Sequence, residues 1–380
     1  MNTKALFVSN DPNVFNPGSD VRARMHLYAA AIGSLHIVSP ANKGAAEEQE
    51  GNLFLHPVRA GKLFRVRALA SRAHALILSE GIEVVSAQDP FEHGLAALRA
   101  VRGTSAKLHV QVHTDFLSPW FTKTDGRHLF SLHASSLNRY RQKLADRVVP
   151  AAQGIRVVSE RVKGSLVARY GNRISEPSVI PVMVDAIVPA PVPLPAHPFT
   201  FALIAVGRLE KEKRMGDILI ALKLILPMYP MVGLFIVGDG RERERLERMT
   251  HSLGLENKVI FLGNRSDARG LMASAQAFIQ ASAYEGYGRT LIEAALARIP
   301  IITTDVGIVG EVFKGLNDLL VAPVADPTAL SRHIIGLLED NAVRQELTIH
   351  AAETVHAYLD AEGDLPARIA ADLERTIRRV

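Results

Sequence analysis

The sequence predicts an α/β protein of two doubly wound parallel-sheet domains facing across a cleft, and three observations carry that expectation. Short apolar runs alternate with longer segments whose apolar residues recur every three or four positions, the pattern of strands joined by crossover helices. A proline-rich stretch then breaks the alternation: seven of the chain's 20 prolines lie between Pro177 and Pro198. Beyond it the strand–helix rhythm starts again. In such sheets ligands bind outside the carboxyl ends of the strands, so the loops there are where functional residues are sought.

In the first domain, residues 4–9 read as a strand, 11–20 as a loop rich in Asn, Asp and Pro, 21–32 as a helix and 35–38 as a strand. Residues 62–80 form a long basic helix candidate. Residues 82–87 and 108–112 read as strands, 132–145 as a second basic helix and 147–149 as a strand. The proline-rich segment is expected to be a semi-rigid connector, with domain limits at 1–185, 186–199 and 200–355. The second domain offers strands at 201–206, 234–237, 259–262, 277–281 and 301–304. The final segment, 356–380, ends in a basic amphipathic helix from 365 onward.

Composition narrows the class. Of 380 residues, 48% are hydrophobic and 22% charged, which excludes a disordered chain. The absence of cysteine excludes disulfides and thiolate chemistry and suits a reducing compartment. The N-terminus runs straight into a strand-like segment, unlike a signal peptide, and no apolar stretch is long enough to span a bilayer. A cytoplasmic protein is expected. Charge is uneven: residues 1–198 hold 23 Lys and Arg against 15 Asp and Glu, whereas residues 199–380 hold 21 against 24. A basic half implies an anionic partner.

The most informative stretch is 277–307. A short strand leads into the turn Glu285-Gly286-Tyr287-Gly288, then a helix is expected over 290–298, where Leu291, Ala294, Ala295 and Arg298 share a spacing and Pro300 ends the run. A glycine-rich turn entering a helix leaves backbone N–H groups unpaired at the positive end of the helix dipole, which makes an anion site suited to phosphate. Glu285 before the helix and Glu293 one turn inside it would repel phosphate. Ionised carboxylates only accept hydrogen bonds, so sugar hydroxyls are their natural partners. A nucleotide diphosphate sugar has hydroxyls on both sides of its phosphates. An ordinary strand–loop–helix with two solvated glutamates would show the same letters.

This element, Ser-x-x-Glu-Gly-Tyr-Gly followed by Ile-Glu-Ala, resembles the donor motif of the family 4 retaining glycosyltransferases, which have the GT-B fold of two Rossmann-like domains. Val206-Gly207-Arg208-Leu209 with Lys213 resembles that family's Gly-Arg-Leu…Lys-Gly element, except that Arg214 stands where the glycine is usual. Gly238-Asp239-Gly240 resembles its Gly-x-Gly turn, and the Asn264-Arg265 loop the one whose backbone meets the donor base. In the first domain, His113-Thr114-Asp115 at the end of a strand resembles the family's strand-end histidine, and Gly18-Ser19 a shortened form of its Gly-Gly loop.

The resemblance implies a retaining transferase that moves a sugar from a nucleotide diphosphate sugar to an acceptor hydroxyl, in cell-surface glycan or glycolipid synthesis. Implied catalytic residues are His113, Arg208, Lys213 and Glu285. Implied donor-binding residues are Gly18, Ser19, Gly207, Asn264, Arg265, Gly286, Tyr287, Gly288, Arg289, Thr290, Leu291 and Glu293. Arg208 and Lys213 would neutralise the diphosphate, Glu285 orient the sugar and Glu293 the ribose. Asp89, Glu92 and Asp115 would wall the acceptor side, although Asp89 and Glu92 could equally cap the next helix. The C-terminal helix would cross back onto the first domain. No cofactor is expected beyond the nucleotide sugar. No metal is expected either, because the chain has no Asp-x-Asp.

Two basic helices, one with Lys62, Arg65, Arg67 and Arg72 among Leu63, Phe64, Val66 and Leu69, the other with Arg139, Arg141, Lys143 and Arg147 after Trp120-Phe121, suit an anionic membrane surface. Attachment there would put the protein peripherally at the inner face of the membrane beside a glycan or lipid-linked acceptor; a plain solvated helix face would show the same residues. No nucleic-acid motif accompanies the charge. Two rival readings stay open: a sugar-nucleotide epimerase or phosphorylase on the same fold, or a silent sugar-nucleotide-binding subunit.

Overall fold

A computed structural model describes residues 3–41, 45–122, 129–314 and 317–379. The chain divides into two compact units: Met1–Pro181 together with Asp364–Val380, and Val182–Gly363.

The first unit contains β1 (Thr3–Val8), α1 (Asp20–Ile32), β2 (Gly33–Pro40), β3 (Glu48–Glu50), β4 (Leu53–Val58), α2 (Arg65–Glu80), β5 (Val84–Ala87), α3 (Glu92–Ala100), β6 (Lys107–Val112), α4 (Pro119–Thr122), α5 (Leu129–Val148), β7 (Gly154–Val157), α6 (Glu160–Tyr170) and β8 (Ser178–Val179). Its sheet runs β3-β4-β2-β1-β5-β6-β7-β8. Every pairing is parallel except β3 with β4. Central strands such as β1, whose Ala5, Leu6, Phe7 and Val8 are wholly buried, are apolar runs because helices cover both faces.

The second unit contains β9 (Phe201–Val206), α7 (Met215–Ile225), β10 (Val232–Val237), α8 (Arg243–Ser252), β11 (Val259–Gly263), α9 (Ala268–Met272), β12 (Ala277–Ile279), α10 (Arg289–Leu296), β13 (Ile301–Thr304), β14 (Leu320–Ala322), α11 (Pro327–Glu339) and α12 (Asn341–Glu362). Its sheet, β11-β10-β9-β12-β13-β14, is parallel throughout. In each sheet the strand order reverses beside the first strand, between β1 and β5 and between β9 and β12. Those two positions are the switch points where ligand crevices form in such folds.

Gly363, at φ +60°, ends α12, and Asp364 caps α13 (Leu365–Arg378). This helix belongs to the first unit. It buries Leu365, Ile369, Leu373 and Thr376, a stripe at three- and four-residue spacing. Arg368 donates to the Val179 carbonyl at 3.0 Å, and Arg379 to that of Gln153 at 2.8 Å.

Several expectations need correction. The strand expected at 147–149 is the end of α5 followed by a 3-10 turn at Val149–Ala151. Val148 and Val149 suggested a strand because they are β-branched, but they are buried as helix-end and turn residues, with Pro150 in the turn. The strand is β7, whose Gly and buried Arg156 disguised it. The first basic helix starts at Arg65 rather than 62, after a turn closed by Phe64 N–H to the Gly61 carbonyl. α10 ends at Leu296, and Arg298 is exposed at φ +54° rather than on the helix's buried face. The proline-rich segment, expected as a semi-rigid connector outside any core, is anchored at several points. Its start pairs as β8, and Ile180 is buried. Further on, Val192 N–H bonds the Gly270 carbonyl of α9 at 2.9 Å, and Arg269 holds the Asp185 and Ile187 carbonyls.

Gly154 shows why α13 seats where it does. A Cβ there would lie 1.9 Å from Thr376 Oγ1 and 2.9 Å from His109 Cδ2. Gly154→Ala is expected to destabilise the protein by about 1–3 kcal/mol, the usual cost of overpacking. Urea unfolding of the two proteins checks this; equal midpoints would mean that α13 does not lie on β7.

Candidate functional site

In the second unit the loops leaving β9 and β12 meet at the switch point. The first, from Gly207 to Lys213, is laid against the turn after β10: Gly207 N–H bonds the Val237 carbonyl, and Leu209 N–H that of Asp239. Glycine is required at two places in that turn. A Cβ on Gly238 would lie 2.0 Å from the Gly207 carbonyl oxygen, and one on Gly240 2.4 Å from that of Leu209. The second loop is tied to the first by Ala283 N–H on the Glu212 carbonyl, 2.7 Å.

These ties bring Lys213 Nζ onto Glu285 Oε1, with Ser282 Oγ donating to the same oxygen at 2.7 Å. Both partners are largely shielded, at 15% and 14% exposure. Arg208 instead is 75% exposed and reaches Glu212 at 3.3 Å. Tyr287 is buried and its hydroxyl bonds Tyr358 of α12 at 3.1 Å. The Tyr287 carbonyl accepts from Ile308 N–H at 2.9 Å, an approach that only Gly307 permits, since its Cβ would sit 2.2 Å from that oxygen. Gly288, at φ +94°, starts α10. Leu291 N–H is taken by the Gly288 carbonyl at 2.9 Å, so the N–H groups facing outward at the helix start are those before it. Thr290 Oγ1 donates to Gln280 Oε1 at 2.8 Å.

Glu293 is 6% exposed. Burial raises its pKa, opposed by Arg289 and Arg269; Arg289 Nε lies 2.8 Å from Oε1. Asn264 and Arg265 follow β11, and Arg265 forks onto Asp267 at 2.8 and 2.6 Å. Gln280, Ser282, Arg269 and Tyr358 support the site, and sequence reasoning did not single them out. Only Ser282 had a signal, as the serine of the quoted motif.

Arg214 resolves the departure from the familiar pattern. It adopts φ +47°, ψ +38°, the left-handed conformation that glycine favours. Its guanidinium forks onto the buried Asp217 carboxylate, Nε–Oδ2 2.6 Å and Nη2–Oδ1 3.2 Å.

In the first unit the expected residues gather at the ends of the adjacent strands β1, β5 and β6. Ser9 after β1 donates to Gln88 after β5 at 2.9 Å. Ser19 caps α1, its Oγ accepting from Arg22 N–H at 3.1 Å and donating to the Asn13 carbonyl at 2.6 Å. Gly18 donates its N–H to Asn16 Oδ1 at 3.2 Å. Asp89 accepts from Phe91 N–H at 2.8 Å and pairs with His93. Burial works to raise its pKa, but His93 and the backbone N–H groups hold it below the usual range. Glu92 bonds Arg141 of α5 through both oxygens at 3.2 Å. Asp115 is buried, which raises its pKa. His113 follows β6, and its Nε2 lies 3.1 Å from Gln111 Oε1. Desolvation and then the positive fields of Arg156 and Arg24 hold its pKa below the ordinary value. Two guanidinium charges alone disfavour a third, so the ring is neutral at pH 7.

Among the described residues no group of three or more His, Cys, Asp or Glu could hold a metal ion. The Arg214 geometry yields a test. Arg214→Ala keeps the left-handed strain and loses the fork, whereas Arg214→Gly loses the fork and relieves the strain. The glycine variant is expected to be more stable than the alanine variant by about 1–2 kcal/mol. Thermal or urea unfolding of the pair decides; an alanine variant at least as stable contradicts the left-handed assignment.

Comparison with known proteins gives the family. Residues 199–354 match the model for glycosyl transferases group 1, and residues 28–186 that for glycosyltransferase family 4. A lipopolysaccharide core biosynthesis glycosyltransferase of Rhizobium meliloti, LpsD, is 32% identical over 155 residues, covering 41% of this chain and 44% of the relative. The match therefore spans less than half the length of that curated protein. Among solved structures, sucrose-phosphate synthase from Thermosynechococcus elongatus superposes with a TM-score of 0.78 at 18% identity, covering 96% of both chains. Anabaena HepE in complex with UDP and glucose gives 0.73 at 20% identity, covering 98% of this chain and 99% of that one. With both halves matched in order and the fold shared along nearly its whole length, the chain belongs to the family 4, group 1 glycosyltransferases and has their GT-B fold.

Proposed function

We propose that this protein is a retaining glycosyltransferase that takes a sugar from a nucleotide diphosphate sugar and passes it to an acceptor hydroxyl without a metal ion. The observation that carries this reading is the meeting of Lys213, Glu285 and the start of α10 at the β9/β12 switch point. A cation, a carboxylate and outward N–H groups on adjoining loops match the two chemistries of the donor, anionic phosphate and neutral hydroxyls. The diphosphate takes Lys213 away from Glu285, and the freed carboxylate then accepts from the sugar's hydroxyls. Arg208, exposed beside the same loop, adds a second cation. Charge growing on the leaving diphosphate is stabilised by groups already in place, so little reorganisation accompanies bond breaking. Glu293 takes the ribose hydroxyls, and Asn264 and Arg265 flank the base. His113 faces the sugar, with Gly18 and Ser19 on the phosphate side and Asp89, Glu92 and Asp115 shaping the acceptor region. HepE was solved with UDP and glucose, so uridine donors are the first to test.

Activity should appear with a nucleotide sugar and a hydroxyl acceptor and persist in excess EDTA. Lys213→Ala is expected to cost about 2–4 kcal/mol of transition-state stabilisation, as for loss of one pre-organised donor. Wild-type turnover by that variant at saturating donor would overturn the phosphate assignment. Loss in EDTA restored by magnesium would overturn the metal-free one. Conversion of the nucleotide sugar with no acceptor present would mark an epimerase instead.

The acceptor in this reading is a glycan or lipid-linked glycan, as the kinship with a lipopolysaccharide core enzyme suggests. Membrane attachment is narrower than the two basic helices implied. Leu69 lies in the core, Phe121 stacks on Phe91, Arg72 pairs with Glu47 and Arg141 with Glu92. The most exposed apolar pair lies in the turn before α2, where Leu63 is 93% and Phe64 67% exposed between Lys62 and the exposed Arg67, while α5 still exposes Arg139, Lys143 and Arg147 beside Leu137 and Tyr140. Two exposed apolar side chains flanked by cations suit an anionic bilayer. Among the described residues no helix is long and apolar enough to cross a membrane. The protein should co-sediment with anionic vesicles at low salt and be released at high salt. Binding undiminished in a Leu63→Ser, Phe64→Ser, Lys62→Glu variant would remove this docking surface and leave the transferase reading intact.

A further inference from the structure

His109, Gln111 and His113 alternate along β6 and its end, so the three fall on one face of the sheet. In register, Ser86 of β5 stands beside His109, and Arg156 of β7 beside Gln111. Together they form one continuous hydrogen-bonded chain. His113 Nε2 lies 3.1 Å from Gln111 Oε1, which also accepts from Arg156 Nη1 at 2.8 Å. Gln111 Nε2 donates to Ser86 Oγ at 2.9 Å, and Ser86 Oγ lies 2.8 Å from His109 Nδ1. His109 Nε2 lies 3.0 Å from Asp372 Oδ2 on α13. Asp372 Oδ1 accepts from Ser178 at 2.6 Å and from Arg375 at 3.0 Å.

The direction of the links at Gln111 follows from Arg156. Its guanidinium is held by the Ile180 and Pro181 carbonyls, at 3.0 and 2.7 Å. Guanidinium only donates, so the Gln111 amide must turn its oxygen toward Arg156. The same oxygen meets His113, whose Nε2 must therefore carry the hydrogen. The amide nitrogen of Gln111 donates to Ser86 Oγ, which also meets His109 Nδ1. His109 Nε2 in turn meets the Asp372 carboxylate. Despite burial, the bonds from His109, Ser178 and Arg375 hold that carboxyl well below the usual range, so it stays an acceptor. The chain has no frustrated link, and such networks fix one arrangement.

We propose that Gln111 and Arg156 are positioning residues that lock His113 as the Nε2–H tautomer, with its Nδ1 lone pair offered to the substrate. The ligand of that nitrogen is then a hydroxyl donor, a sugar or acceptor alcohol, and not a phosphate oxygen, which only accepts. This rests on the reading of His113 as facing the sugar. Among the described residues Nδ1 has no hydrogen bond. The far end of the lock is Asp372, so the return of α13 to the first unit reaches the ring through Ser86 and Gln111.

The test reads the tautomer directly, apart from activity. In protein labelled with 15N-histidine, long-range 1H–15N correlation separates the two ring nitrogens, and His113→Gln assigns the signals. At neutral pH, His113 should show a protonated Nε2 and a bare Nδ1. Gln111→Leu should mix the tautomers and lower kcat up to about 100-fold, the cost of a misplaced group, with affinity for the free nucleotide unchanged. Gln111→Glu keeps an acceptor for both Arg156 and His113 and should keep the tautomer. A wild-type ring protonated on Nδ1 overturns the proposal even if the leucine variant does not fold. So does a Gln111→Leu protein with unchanged tautomer and kcat. A chain with no transferase activity but the predicted tautomer would instead count against the function proposed above.

Discussion

The contact on which the candidate site depends is between backbones, not side chains. The loop after β9 lies so close to the turn after β10 that no side chain fits at Gly238 or Gly240, and the turn before α10 lies as close to Gly307. Parallel strands all deliver their carboxyl ends to one edge, and where their order reverses the loops part to leave a crevice. With β-carbons at these three positions the loops would stand further apart. With them removed, Lys213 reaches Glu285 and α10 begins beside both. The shielded ion pair is a consequence of main-chain packing.

The two units solve different electrostatic problems. In the second, charges of both signs lie on loops and on the first turns of α10, partnered by short-range contacts: Lys213 with Glu285, Arg289 with Glu293, Arg208 with Glu212. In the first unit, charges are buried and chained. Arg156 and Asp372 sit within the fold, linked through Gln, Ser and His side chains. Burying an unpaired ion costs several kcal/mol, so such groups persist only where each proton has a place.

The residue after Lys213 shows how a motif survives a substitution. What the position demands is a left-handed backbone, which glycine supplies freely and arginine supplies at a cost of about 1–2 kcal/mol. The fork between Arg214 and the buried Asp217 offsets that cost, since charge-assisted bidentate bonds are among the stronger ones in proteins. The letter differs while the conformation is kept.

Alternating periodicity alone determined the α/β class and the order of most elements, because a parallel sheet covered on both faces must be written as apolar runs separated by amphipathic ones. The glycine turn, Glu285, Glu293 and Lys213 were legible for the same reason: loop chemistry at strand ends is carried by few residue types. Elements that violate the pattern were not legible. β7 hid behind Gly154 and Arg156, and Val148 and Val149 imitated a strand, since β-branched residues suit a strand or a buried helix end equally. Only the tertiary structure decided which basic residues are neutralised, that Leu69 and Phe121 lie in the core while Leu63 and Phe64 do not, and that α13 returns to the first unit. It alone joined His113 to Asp372, 259 positions away in the chain, because hydrogen bonds between side chains depend on register across three strands and a helix, and no local spacing records that register.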